Sequence, residues 1–300
     1  MSDPTYPVLA LGFGAVLLIC LAGIAARRSN PADPNGPPRL DADLVATWFY
    51  RPVDLIGPLL LWLFWGAMIG LQALQDLGPK FMDADGLLTA QETQFDAAKI
   101  TAPALLVNIA LQIMLAGAAS AVVLRNCTPN QWLGLKWSRW PLVFVIAPAA
   151  VLGVWAVFLM IDLSGYMKWI ESMGVEPLQD TVKLLRDCKD PIVLGLLAFT
   201  AVIIAPTCEE LVFRGYLYPI LKKYAGFWPA LIASSLLFGL AHGSLASLLP
   251  LCLLGGLLAA LYERTGSIWV PVAIHFCFNG ATVAIHLLAR AFDLPLPSGT

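Results

Sequence analysis

A chain of 300 residues that is 59% hydrophobic and 13% charged, with a mean hydropathy of +0.76, departs far from the balance of a soluble domain. Its 18 Lys and Arg against 20 Asp and Glu leave a net charge of −2, which offers no basic field and predicts no nucleic-acid partner. Its 6 cysteines include no Cys-x-x-Cys pair, so neither a zinc knuckle nor a thioredoxin-type site is supported. Cys208 and Cys277 flank polar residues discussed below, but cysteines in apolar surroundings are ordinarily inert packing groups.

Apolar runs long enough to cross a bilayer as helices occur at 7–26, 53–75, 100–124, 141–163, 191–221, 227–246, 248–262 and 268–290. They predict an all-α fold, a polytopic membrane bundle of about eight transmembrane helices in which the seventh is the shortest. Ten-residue blocks of alternating polarity, the mark of a membrane barrel, are missing. The first run has Asp3 before it and Arg27 and Arg28 after it, the flanks of a retained anchor with its N-terminus outside.

The loop that follows is broken by Pro31, Pro34, Gly36, Pro37 and Pro38. Basic residues collect there (Arg27, Arg28, Arg39, Arg51), again at Arg125, Lys136 and Arg139, and again at Lys222 and Lys223. Eight spans with these loops inside satisfy the positive-inside rule, and the acid-rich loop 76–99 then lies outside. Trp132, Trp137 and Trp140 suit headgroup level. Between the fourth and fifth spans Leu178, Val182 and Leu185 share one helical face, which fits either a short amphipathic helix on the bilayer surface or a solvated connector. No repeat is evident, so the chain divides into N-terminal helices (1–190), a C-terminal helical core (191–290) and a short tail (291–300). The protein is expected to be integral and multi-pass, in contact with membrane lipid; a bacterial source would place it in the inner membrane.

Three patterns in the last third carry ionisable groups into segments apolar enough for lipid, where such groups are costly and tend to be functional. In Glu209-Glu210-x-x-x-Arg214, a helix sets Glu210 and Arg214 one turn apart, within reach of an ion pair. Glu209 points about 100° away from Glu210, so one carboxylate is free to face a cavity and serve as a general base. In Phe238-x-x-x-His242 the ring stacks one turn below the imidazole and orients it. His275-x-x-x-Asn279 places a proton-handling ring beside an amide able to hold an oxyanion. His286, three turns beyond His275, reads as structural or interfacial, and Ser234, Ser235 and Ser244 read as packing residues.

Taken together and in this order, the three motifs resemble those of the CPBP family of intramembrane proteases, which includes the type II CAAX prenyl endopeptidases and bacteriocin-processing proteins. The resemblance covers roughly 191–288 and all three motifs match. It implies an intramembrane endopeptidase acting on a membrane-associated peptide or protein, lipidated or not. Glu209 would activate water with His242 as its partner, His275 and Asn279 would hold the oxyanion, and Arg214 would stabilise the helix carrying Glu209, with Glu210 and Phe238 in support.

Glu209, His242 and His275 also make up a three-ligand zinc set with water in the fourth position, although His-Glu-x-x-His is missing. Water activation without a cofactor is the favoured expectation, because a ligating Glu209 would leave only Glu210 as a nearby base. Other classes fit the same residues: a transporter or proton relay, a b-type haem protein with His242 and His275 as axial ligands, and a relative that binds peptides without cutting them. A carrier would favour matching halves, and these halves do not resemble each other.

Overall fold

The structure, a computed structural model, describes residues 4–29, 44–82, 100–176 and 180–292. The proline-broken loop with Arg39, residues 83–99 of the acidic loop, Leu178 and the tail beyond 292 lie outside the described residues. The elements in order are α1 (Thr5–Ser29), α2 (Ile56–Met82), α3 (Ala102–Leu124), α4 (Pro129–Leu133), α5 (Val143–Leu163), α6 (Tyr166–Ser172), α7 (Asp180–Asp187), α8 (Pro191–Phe199), α9 (Ala205–Glu210), α10 (Tyr218–Ala225), α11 (Phe227–Leu240), α12 (Leu245–Thr265) and α13 (Trp269–Ala291). π-Helical turns at Thr200–Ile204 and Leu211–Leu217 join α8, α9 and α10 into one 35-residue span, Pro191–Ala225.

Among the described residues 7 helices are long and apolar enough to cross a membrane, with α11 a shorter apolar helix beside them. The protein is thus an integral, multi-pass membrane bundle. Its outer surface carries Leu11, Leu18, Leu60, Phe64, Met114, Phe144 and Leu152 exposed, a placement that lipid stabilises and water does not. One continuous core takes residues from both halves, including Leu9, Phe13 and Val16 of α1, Phe213 and Leu217, and Phe238, Leu254 and Ile274.

Two expectations are corrected. The short helix is the sixth rather than the seventh, because Gly243, at φ +67°, turns the chain after Leu240, and Ser244 then caps α12 by accepting from Ser247 N–H. The 14 residues of α11 rise about 21 Å, short of a hydrocarbon core about 30 Å thick. His242 therefore lies in the turn at the tip of the α11–α12 hairpin, not within a helix. The second correction concerns the proposed surface helix. α7 buries Leu184 and Leu185 against Leu197 of α8 and Val283 of α13, so its apolar face covers protein.

One end of the bundle gathers the basic loops. Arg27 donates to the Lys222 and Lys223 carbonyls, Lys223 to the Trp48 and Tyr50 carbonyls, and Arg125 pairs with Asp54 at 3.1 Å. Clusters far apart in sequence thereby share the face that the positive-inside rule assigns to the cytoplasm.

Candidate active site

Two prolines shape the span that carries the acidic pair. In the first π turn Ala205 N–H reaches back five residues to the Thr200 carbonyl. The next residue is Pro206, without an N–H, so the Ala201 carbonyl lacks its helical donor in that pattern. Asn279 Nδ2 of α13 supplies one at 2.8 Å. In the second π turn Tyr218 N–H likewise reaches the Phe213 carbonyl. π turns widen a helix locally and often accompany functional sites; here they flank Glu209 and Glu210 on both sides.

Glu210 is fully buried and Arg214 is 2% exposed. Arg214 Nη1 donates to Glu210 Oε1 at 2.9 Å and Nη2 to the Gly255 carbonyl of α12 at 3.0 Å. The ion pair foreseen from the spacing is present. Arg214 also stands over the Phe238 ring, 4.5 Å from its centre. The same ring meets His242 at 5.0 Å and, edge to face, His275 at 5.8 Å between centroids. Phe238 is thus the common wall against which the charged pair and both histidines rest.

His275 stands between the two carboxylates. Its Nδ1 lies 2.8 Å from Glu210 Oε1 and its Nε2 3.8 Å from Glu209 Oε2. A carboxylate held by Arg214 accepts rather than donates, which fixes the His275 proton on Nδ1 and leaves the Nε2 lone pair facing Glu209. Glu209 Oε2 and Glu210 Oε2 are buried without a hydrogen-bond partner, and the Glu209 side chain is 27% exposed. An acceptor so placed is open to a small donor.

His242 is exposed, and its Nδ1 lies 2.7 Å from the Phe238 carbonyl. A carbonyl only accepts, so the proton sits on Nδ1 and Nε2 faces outward. The ring set against Glu209 is accordingly His275, while His242 is reached through Phe238. Asn279 is half-buried with its amide N–H committed to Ala201. His286 is buried, and its Nδ1 lies 2.8 Å from the Thr282 carbonyl, the structural place expected of it.

His275 turns Nδ1 to Glu210 and Nε2 to Glu209, an orientation that a metal-bound imidazole backed by a carboxylate would also take. Among the described residues no group of three or more His, Cys, Asp or Glu is arranged to hold a metal ion. No step below runs through one.

Two residues of the arrangement, Gly255 and Tyr50, were not singled out from sequence, and Trp132, expected at headgroup level, is instead buried at 4% exposure. Gly255 acts through its carbonyl, which every residue has, and the other two lie far from the motifs in sequence. The only sequence signal for such contacts was Pro206 and Pro219, each of which deletes a helical donor and so calls for one from elsewhere.

The multi-pass helical bundle thus holds a buried Glu–Arg pair with an imidazole between two carboxylates. Residues 191–281 match the family model described as "Type II CAAX prenyl endopeptidase Rce1-like". Over 92 residues the chain is 35% identical to "Putative membrane peptidase YdiL" of Bacillus subtilis (strain 168), an alignment that spans 31% of this chain and 38% of that relative. No solved structure gives a significant match. The C-terminal segment is thus similar to a family of prenyl endopeptidases and to a membrane peptidase, and the chain spans less than two fifths of the length of the curated relative it matches.

Proposed function

We propose that the chain is an intramembrane endopeptidase that hydrolyses a peptide bond of a membrane-associated peptide or protein with water activated by Glu209. The observation that supports this reading most is His275 Nε2 standing 3.8 Å from Glu209 Oε2, each an acceptor. One water molecule, with two hydrogens to donate, fits between them. As the water oxygen attacks the carbonyl carbon, Glu209 takes its proton. The new C–O bond forms, the carbonyl oxygen becomes an oxyanion, and the proton passes to the leaving amine as the C–N bond breaks. Glu209, which holds that proton, delivers it to the amine as the C=O bond re-forms, with His242 as the partner that the family resemblance implies. Asn279 holds the turn ahead of Pro206, and its second amide hydrogen remains for the oxyanion.

The substrate class is a peptide or protein tail reaching the site from lipid or from the basic end of the bundle. A prenylated tail is one member of that class, and no residue described above reads a prenyl chain. Comparison of peptide ends in membranes carrying wild type and Glu209→Gln tests the reading directly. Ends that vanish with Glu209→Gln are expected, and identical ends in both would overturn it.

Water activation is proposed to proceed without a metal. Turnover should survive exhaustive dialysis against a chelator. Close to one zinc per chain, restored together with activity, would show that a metal holds the water instead.

A further inference from the structure

The span 191–225 is gripped at a second carbonyl, from outside the family-matched segment. In an α-helix the Gly215 carbonyl would accept from the N–H of residue 219, which is proline. Two side chains of the N-terminal half meet this carbonyl instead: Tyr50 Oη and Trp132 Nε1, each at 2.5 Å. Both residues are buried, Tyr50 at 2% and Trp132 at 4% exposure. Trp132 also lies so close that a Cβ on Gly215 would come within 3.0 Å of its Cζ2. The neighbouring Tyr216 Oη donates to the Asp54 carbonyl at 2.7 Å, and Tyr262 Oη of α12 donates to the Trp132 carbonyl at 3.1 Å.

The grip has a direct line to the chemistry. Gly215 follows Arg214, whose guanidinium holds Glu210 Oε1, and that same oxygen faces His275 Nδ1. Because Pro219 has no N–H to offer the Gly215 carbonyl, an external donor there sets the rotation of the turn and with it the aim of Arg214. We infer that Tyr50 and Trp132 are positioning residues for the reaction, acting through Gly215, Arg214 and Glu210 on the orientation of His275. The inference rests on the peptidase reading for its catalytic consequence, but its structural half is measurable without any substrate.

Only 3 histidines occur in the chain, so ¹⁵N-histidine labelling of the full protein in lipid nanodiscs yields few enough signals to assign by single His substitutions. The variants are Tyr50→Phe, which removes one hydroxyl and keeps the ring, Trp132→Phe, and their combination. The imidazole signal of His275 should shift or broaden in each and most in the double variant, while that of His286, held by its own helix, stays fixed. On the membrane peptide whose cleaved end vanishes with Glu209→Gln, kcat should fall about tenfold in the double variant with KM unchanged, the scale set by lost hydrogen bonds. An unmoved His275 signal overturns the inference. A moved signal with wild-type kcat also overturns it and leaves the peptidase reading intact. If wild type and Glu209→Gln yield identical ends, the peptidase reading falls, and the His275 signal alone decides whether the grip reaches the site.

Discussion

Glu209 and Glu210 are neighbours in sequence with opposite surroundings, and the same substitution should separate them. Glu210 is fully buried and faces both Arg214 and His275, whereas Glu209 Oε2 has no hydrogen-bond partner. Glu209→Gln should melt like wild type in detergent while abolishing turnover, since it removes a proton acceptor and no protein hydrogen bond made through Oε2. Retained turnover in a purified assay would remove Glu209 as the base. Arg214→Ala should instead lower folded yield as well as activity, because an unpaired buried carboxylate costs roughly 3 to 5 kcal/mol. Glu210→Gln combined with Arg214→Gln should recover part of the yield. Arg214→Ala protein as stable as wild type would show that the pair contributes nothing to folding.

At the scale of elements, the position of His242 depends on where α11 stops. Gly243 at φ +67° makes that stop possible, and a side chain there costs about 1 to 2 kcal/mol in the left-handed region. Gly243→Ala should therefore lower the melting temperature of the full protein modestly. Its turnover should fall by more than its stability does, because the hairpin tip carries His242. Unchanged turnover at a lowered melting temperature would mean that the tip has no part in the chemistry. The start of α12, just past the tip, is covered: Tyr166 Oη donates to the Leu245 carbonyl at 3.1 Å, and Ile170 and Val175 pack on Leu245 and Ala246. Elements thus act in pairs here, a π turn with the helix that satisfies it and the second arm of a short hairpin with the segment that packs on it.

Across the whole molecule, one of the places where the two halves meet is between α4 and the start of α13. Ile268 N–H donates to the Leu133 carbonyl at 2.9 Å, and a Cβ on Gly134, itself at φ +61°, would lie 1.7 Å from the Gly266 carbonyl oxygen. Gly134→Ala should cost more than the roughly 1 to 2 kcal/mol of backbone strain alone, seen as a large loss of folded protein in detergent. Near wild-type yield would mean that this junction yields easily.

Hydropathy by itself determined the helical membrane bundle, because only long apolar helices satisfy their backbone in lipid. Helical spacing by itself placed Arg214 on Glu210 and Phe238 beneath His242, since both contacts reach only one turn along a single chain segment. The early end of α11 was less legible, because Gly243 and Ser244 stop a helix only when the fold puts the chain into a left-handed turn. Contacts between segments were decided by tertiary structure alone. Nothing in the spacing set His275 rather than His242 against Glu209, drew the Asn279 amide onto Ala201 or brought Tyr50 and Trp132 to Gly215. The physical reason is one of range: a motif fixes neighbours within a turn, whereas a carbonyl freed by proline takes its donor from whichever helix packing brings alongside.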